Sequence, residues 1–378
     1  MAIAYRLGLQ QRVFPAYRAP FFDALARSCA GGLSVFSGKP MDDEALGREG
    51  VLQDAQHIVA RNQYFGAGPF LIVWQLGLID WLEHWNPDVL IMEANPRNTS
   101  INAALAWMHS HHRPVIGWGL GAPPMHGPLP GLFNASRRRF LMQFDALIAY
   151  SKTGVEQFAR IGFPEEFIFL APNAITSRPV HPLAARQEFF IHGKPVVLFV
   201  GRLQARKRVD MLIRACAALP RSIQPRLIIV GDGPSRKALE EEARAVFPST
   251  EFVGEKHERE LTPYYQAADL FVLPGTGGLA VQQAMAAGLP VLVAEADGTQ
   301  TDLVRPGNGW LLPPGDEAAL TQSLAQALSD PARLRQMGRE SFRIVSEEIN
   351  LEKMVDVFAQ AVACVTRNRP GLRRQGGD

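Results

Sequence analysis

Apolar positions along this chain follow two patterns: short unbroken runs that suit strands buried on both faces, and runs at three- and four-residue spacing that suit amphipathic helices. Val196 to Val200 reads as a buried parallel strand. The chain then turns at Gly201, presents Arg202 and Lys207, and enters a helical run with Val209, Leu212, Ile213, Cys216 and Leu219 apolar. The unit repeats as the strand Leu227 to Val230, a turn at Gly231 and Gly233, and another helix. Short strands follow at Glu251 to Val253, Leu270 to Leu273 and Val291 to Ala294. Between the last two, the glycine-rich turn Gly275 to Gly278 opens a helix that runs roughly to Ala287 and stops at Gly288. A helix from about Glu317 to Leu328 and two further helical segments complete the pattern.

The amino-terminal half alternates in the same way. Residues 2 to 9 read as a strand, and PAYRAPFFDALARSCA reads as a helix with Pro20 in its first turn. Leu33 to Phe36 is a short strand, whereas residues 41 to 66 are polar and weakly patterned and predict irregular structure with one short helix. Pro69 to Trp85 has helical period, Val89 to Met92 is a strand, and Asn98, Thr99 or Ser100 can cap a helix that carries Ile101, Leu105 and Met108. Pro114 to Trp118, residues 146 to 151 and Ile168 to Ala171 are further strands, with Ser151 capping the helix KTGVEQFARIG. Strand and helix in alternation predict an α/β protein of doubly wound parallel sheets. Residues 1–175 form the first domain, 176–194 the linker, 195–350 the second domain, and 351–378 a final helix and tail.

Composition narrows the function classes. At 378 residues, 47% apolar and 20% charged, the chain suits two ordinary soluble domains. A net charge of +2 is too mild to argue for a nucleic-acid partner. Cys29, Cys216 and Cys364 are far apart and odd in number, which favours a reducing, cytoplasmic setting and excludes a cysteine-built zinc site. The run AIAYRLGL carries Arg6 and lacks a cleavage pattern, so no secretory signal is evident. Gly68 to Leu82 is broken by Gln75 and Asp80 and is too short to span a bilayer.

The candidate chemistry lies in loops behind strands. A loop at the carboxyl end of a parallel strand is where open α/β sheets bind ligands, and the cations Arg202 and Lys207 suit a diphosphate, although a solvated turn explains them as well. Free amides at the helix start behind Gly278 make a second anion cradle. The segment GWGLG, Gly117 to Gly121, lacks the third glycine of a dinucleotide fingerprint and runs into Pro123 and Pro124, so it reads as a tight turn rather than a nicotinamide site. Arg137, Arg138 and Arg139, at the start of a helix, suit a solvated face, an acidic acceptor, or weak association with an anionic membrane surface, which would make the protein peripheral at the inner membrane face.

GRLQARK, VGDGP, AADLFVLPG, QAMAAGLPV and NGWLLPPGD, in this order, resemble the carboxy-terminal domain of group 1 (family 4) retaining glycosyltransferases of the GT-B fold. YRAPFFDALA, SKTGVEQF and APNAI fit the same family. The resemblance implies two facing Rossmann-like domains, an acceptor domain first and a nucleotide-sugar donor domain second, with the last helices, around Leu351 to Val365, returning towards the first. It implies metal-independent transfer from a UDP-type or GDP-type sugar to a hydroxyl acceptor, with no cofactor. Arg202 and Lys207 match the pair that binds the donor diphosphate, helped by Gly201, Gly275, Thr276, Gly277 and the amides of Gly278 and Leu279. Gln283 would face the ribose, and Gly254, Glu255, Lys256 and His257 the base. Asn173 matches a hinge asparagine, and Leu120, Gly121 and His126 fall on the acceptor side. The family has glutamates where this chain has Gly275 and Gln283, and often a histidine where it has Leu120. These departures leave open a degenerate GT-B protein that binds nucleotide or glycan as a partner or regulator.

Overall fold

The computed structural model describes residues 2–41, 50–68, 71–124, 130–179 and 193–367. The chain divides into two compact units, one of Met1–Ile175 with Leu351–Asp378 and one of Thr176–Asn350. In the first, the elements are β1 (Leu7–Val13), α1 (Ala19–Arg27), β2 (Leu33–Gly38), β3 (Gln56–Phe65), β4 (Ile72–Leu76), α2 (Leu78–Trp85), β5 (Val89–Glu93), α3 (Ser100–Ser110), β6 (Val115–Gly119), α4 (Pro130–Leu141), β7 (Ala146–Ala149), α5 (Lys152–Arg160) and β8 (Ile168–Leu170). The sheet order is β4-β3-β2-β1-β5-β6-β7-β8, parallel except for the antiparallel β3–β4 pair.

Alternate strand residues serve the two faces of this sheet. Leu7, Leu9, Val89, Ile91, Ile116, Trp118, Ala146 and Ile148 pack with α1 and with α13 (Leu351–Thr366). Leu90, Met92, Val115, Leu147 and Ala149 pack with the helices α2 to α5 on the other face. The ring of Phe358 on α13 meets Phe21 and Trp118 at centroid distances of 4.9 and 5.0 Å, which seats the last helix in the first unit's core.

Several sequence expectations are corrected here. The first strand starts at Leu7 rather than residue 2. Residues 56–65 form a ten-residue strand, not irregular structure, because pairing to β2 and β4 supplies what their weak apolar pattern does not. The helical reading of Pro69 to Trp85 holds only from Leu78. Before Gly77, at φ +82°, lies β4, in which Val73 and Gln75 are buried while Ile72, Trp74 and Leu76 are exposed. Apolar residues on the outward face hid the two-residue period. Asn98, Thr99 and Ser100 do not cap α3 through their side chains. Thr99 Oγ1 donates to the Val73 carbonyl, Asn98 Nδ2 to Gln75 Oε1, and Ser100 Oγ accepts from the Gln75 amide, so all three hold β4. Ser151 does cap α5, accepting from Gly154 N at 3.0 Å.

The second unit continues with β9 (Val196–Val200), α6 (Val209–Ala218), β10 (Arg226–Val230), α7 (Arg236–Val246), β11 (Glu251–Gly254), α8 (Thr262–Ala267), β12 (Leu270–Leu273), α9 (Leu279–Ala286), β13 (Val291–Ala294), α10 (Gln300–Leu303), β14 (Gly309–Leu312), α11 (Glu317–Leu328) and α12 (Pro331–Glu347). The sheet is parallel throughout, in the order β11-β10-β9-β12-β13-β14. Val197, Leu198, Phe199, Leu270, Phe271 and Leu292 are fully buried between its two helical layers.

An aspartate immediately before a strand recurs three times. Asp88, Asp145 and Asp269 precede β5, β7 and β12, and each carboxylate accepts the amide of Arg6, Val115 or Val196 at the start of the neighbouring strand, at 2.8–2.9 Å. The bond satisfies an amide that the ladder leaves over and fixes the register beside it. Asp269 is 3% exposed, so its replacement by alanine leaves the Val196 amide buried without that acceptor. Asp269→Ala is expected to lower stability by about 1–3 kcal/mol, and Asp269→Asn by less, measured as the urea midpoint at unchanged slope.

Candidate functional site

The strand order of the second unit reverses beside β9: β10 lies on one side and β12 on the other. The loops that leave β9 and β12 therefore diverge, and the gap between them is where open parallel sheets take ligands. The β9 loop holds Gly201, Arg202 and a 3-10 turn, Ala205–Lys207. Arg208 follows in the left-handed region at φ +53°, a conformation that a non-glycine residue adopts at some cost. The β12 loop holds Gly275 to Gly278 and opens α9 at Leu279.

These two loops are bonded to each other. Thr276 N donates to the Arg206 carbonyl at 3.0 Å, and Arg206 Nη1 donates to Thr276 Oγ1 at 3.1 Å. Lys207 Nζ donates to the Thr276 carbonyl at 2.5 Å, and Gln300 Nε2 donates to the Gly277 carbonyl at 2.9 Å. The approach requires glycine. A Cβ on Gly275 would stand 2.2 Å from the Arg206 carbonyl oxygen and 2.7 Å from Lys207 Cα, and a Cβ on Gly277, at φ +142°, would stand 2.4 Å from Lys207 Nζ. Backbone thus occupies the space where a glutamate at position 275 would begin.

The cations differ in environment. Arg202 is exposed and makes no hydrogen bond or ion pair among the described residues. Lys207 is half-buried, and burial together with the Arg206 guanidinium lowers its pKa from 10.5 to about 8. The loop thus offers one exposed cation and one half-buried cation whose protonated form a nearby anion would favour. Gln283, on α9, accepts from the Tyr265 hydroxyl at 3.2 Å, which orients its amide.

The neighbouring loops are joined to this site by backbone. Gly201 N donates to the Val230 carbonyl, Leu203 N to Asp232, and Gly231 N to Gly254, at 3.0, 2.8 and 2.8 Å. A Cβ on Gly231 would stand 2.0 Å from the Gly201 carbonyl oxygen. This chain of bonds places Gly254 to His257 beyond β10, two strand spacings or roughly 10 Å from β9. His257 Nε2 lies 3.6 Å from Glu255 Oε1.

Other sequence candidates belong to the first unit. Leu120 is 53% exposed, and Gly121, at φ +129°, packs so closely on α5 that a Cβ would stand 2.8 Å from Gly154 Cα. His126 lies outside the described residues. The buried Asn173 Oδ1 has no hydrogen-bond partner among the described residues. Arg137 to Arg139 stand in the last turns of α4, not at its start. Arg137 donates to the Pro123 carbonyl and Arg138 to that of Ile161. Arg206 and Gln300 escaped the sequence reading, because a residue that holds a loop from outside leaves no motif. No cluster of three His, Cys, Asp or Glu able to hold a metal ion occurs among the described residues.

The model of the family described as glycosyl transferases group 1 matches residues 183–343. The chain is 35% identical over 202 residues to the GDP-mannose-dependent alpha-mannosyltransferase of Mycobacterium tuberculosis, across 52% of this chain and 49% of that protein. It is 30% identical over 287 residues to the D-inositol 3-phosphate glycosyltransferase of Nocardia farcinica, across 70% of this chain and 59% of that protein. The chain thus spans between 49% and 59% of the length of these two relatives. Its fold is similar to that of Anabaena Alr3699/HepE in complex with UDP, with a TM-score of 0.69 at 18% identity, over 96% of this chain and 100% of that one. Two doubly wound units with glycine-lined loops at the second unit's switch point give the chain the GT-B fold, and its residues 183–343 match the model of the group 1 glycosyltransferases.

Proposed function

We propose that this chain transfers a sugar from a nucleoside diphosphate donor, of the UDP or GDP type, to a hydroxyl acceptor, with retention of configuration and without a metal. The observation that carries the reading is Lys207 bonded to a glycine-lined turn and helix start at the switch point of the second unit, with Arg202 exposed on the same loop as Lys207. Breaking the bond between sugar and phosphate leaves growing negative charge on the leaving oxygen, and two cations already in place stabilise it. The amides of Gly278 and Leu279 add hydrogen bonds at the start of α9. Gln283 takes the ribose hydroxyls as an uncharged donor and acceptor, and Gly254 to His257 read the base. The proton of the attacking hydroxyl passes to the departing phosphate oxygen, the strongest base formed in the step. With Gly275 at the glutamate position, the transferred sugar is held by backbone groups.

A cytoplasmic setting agrees with three unpaired cysteines, two of them buried. No helix among the described residues is long and apolar enough to cross a membrane. Attraction to an anionic membrane surface rests on Arg137 to Arg139, and it is weak because two of these already donate to backbone carbonyls.

The reading is tested by transfer assays with UDP-linked and GDP-linked sugars. Arg202→Ala should lower the transfer rate by about 10²–10³-fold while leaving stability within about 0.5 kcal/mol, since the side chain has no partner to lose among the described residues. A chain that binds nucleotide yet transfers no sugar, with or without Arg202, would be the degenerate binding protein.

The depressed pKa of Lys207 sets a pH dependence. Bound diphosphate favours the protonated amine, so binding above pH 8 takes up a proton and affinity should fall as pH rises from about 8 towards 10.5. Titration calorimetry with UDP or GDP at pH 7 and pH 9.5 measures the loss, and Lys207→Arg should remove most of it.

Gly275→Glu, although it restores the family residue, should weaken nucleotide binding and lower the melting temperature, because its Cβ meets the Arg206 carbonyl. A gain in transfer rate would show that the loop yields.

A further inference from the structure

The first unit has a switch point of its own. Its strand order reverses at β1, which has β2 on one side and β5 on the other, so the carboxyl ends of β1 and β5 are left uncovered by their own connections. Arg18 sits there, in a 3-10 turn, Ala16–Arg18, between β1 and α1. It is 5% exposed. Its Nη2 donates to the Tyr150 hydroxyl at 3.1 Å, and its guanidinium carbon lies 4.5 Å from the centre of the Trp118 ring, 5.2 Å from that of Tyr150 and 5.4 Å from that of Tyr17. Three aromatic rings from β1's exit, β6 and the end of β7 thus hold one guanidinium in place.

Two buried donors in this group have no hydrogen-bond partner among the described residues: Arg18 Nη1, and Nε1 of the Trp118 ring beside it. Buried donors are nearly always paired, and leaving one open costs about 1–3 kcal/mol, more when it is charged. A carboxyl group lies in the same cluster. Glu93, at the end of β5, accepts from the Arg12 amide at 2.9 Å, and burial raises its pKa against the opposing pull of Arg12 and Arg18. This carboxyl group of the cluster is thus one that burial pushes towards its neutral form. Burial likewise pushes the Tyr150 hydroxyl up to about 12, so it stays a neutral hydrogen-bonding group.

We propose that Arg18, with Trp118 Nε1 and Tyr150, binds an anionic group, a carboxylate or phosphate, carried by the acceptor, so that this chain glycosylates sugar acids or sugar phosphates in preference to neutral sugars. A guanidinium with open N–H groups in a dry aromatic setting suits a flat carboxylate or a phosphate far better than a hydroxyl. The proposal rests on the transferase reading above. It adds a substrate class to that reading and a residue that selects it.

The test is titration calorimetry of the full chain with inorganic phosphate, glucuronate and glucose, with UDP and GDP run as separate titrants. Phosphate or glucuronate should bind the native chain at least tenfold more tightly than glucose, and equally well in an Arg202→Ala, Lys207→Ala double variant. Arg18→Gln should weaken anion binding at least tenfold and leave nucleotide affinity unchanged, which also reports that the variant is folded. Arg18→Lys, which keeps the charge but not the fork, should retain part of the affinity, and Tyr150→Phe should weaken it. If Arg18→Gln does not fold, these two variants decide by the same readings. Anion affinity indifferent to position 18 overturns the proposal, as does anion binding lost in the double variant, which would place the anion in the donor loop. A loss of nucleotide affinity in Arg18→Gln would assign the residue to the donor instead. Nucleotide binding by the native chain without anion binding sinks this proposal alone. Absence of nucleotide binding sinks the transferase reading and the acceptor assignment with it.

Discussion

When a chain runs outward from the first strand of a parallel sheet and later crosses back to lay a strand on its other side, the two connections leave in opposite directions, and the carboxyl ends of those two strands stay uncovered. Both units of this protein are built on that constraint, at β1 with β5 and at β9 with β12. The loops at these ends leave strands buried on both faces, which anchor their first residues. Each unit sets cationic residues there. In the second they come from the β9 loop, and in the first Arg18 stands on the exit from β1.

The second unit achieves close placement by removing side chains. Gly275 and Gly277 let the β12 loop lie directly on Arg206 and Lys207, and Gly231 and Gly233 let the β10 loop lie on Gly201 and Leu203. A glutamate at position 275 and this backbone contact exclude each other, so its absence is part of a consistent local structure rather than a lone deletion. The same contact half-buries Lys207 and lowers its pKa. Close packing of loops and the electrostatics of the site are therefore one feature.

The first unit uses polar side chains where the second uses glycine. Gln75 Nε2 donates to Asn62 Oδ1 at 2.9 Å and to the Gln11 carbonyl at 3.1 Å, while its Oε1 accepts from Gln10 and Asn98. This network ties the antiparallel edge strand β4 to β1 and to the head of α3. Buried networks of this kind hold only if most members are satisfied, and in exchange they fix one arrangement.

Period and punctuation alone determined much of this protein. The buried runs Val196–Val200, Leu227–Val230 and Leu270–Leu273 are strands because a parallel sheet covered on both faces demands continuous apolar sequence, and the glycines behind them mark loops that must approach closely. That the loops of Lys207 and of Gly275 to Gly278 are neighbours was legible because the alternation of strand and helix brings both to one edge of the sheet. Strands β3 and β4 were not legible. Their conformation comes from pairing with β2 and with each other, and the outward apolar residues Ile72 and Trp74 concealed the alternation. Tertiary structure alone decided that Asn98 to Ser100 bond to β4 instead of capping α3, that Lys207 is half-buried, and that Arg18 has an open donor among three aromatic rings. Each of these depends on contacts between residues distant in sequence, where local propensity is overruled by the need to satisfy buried polar groups.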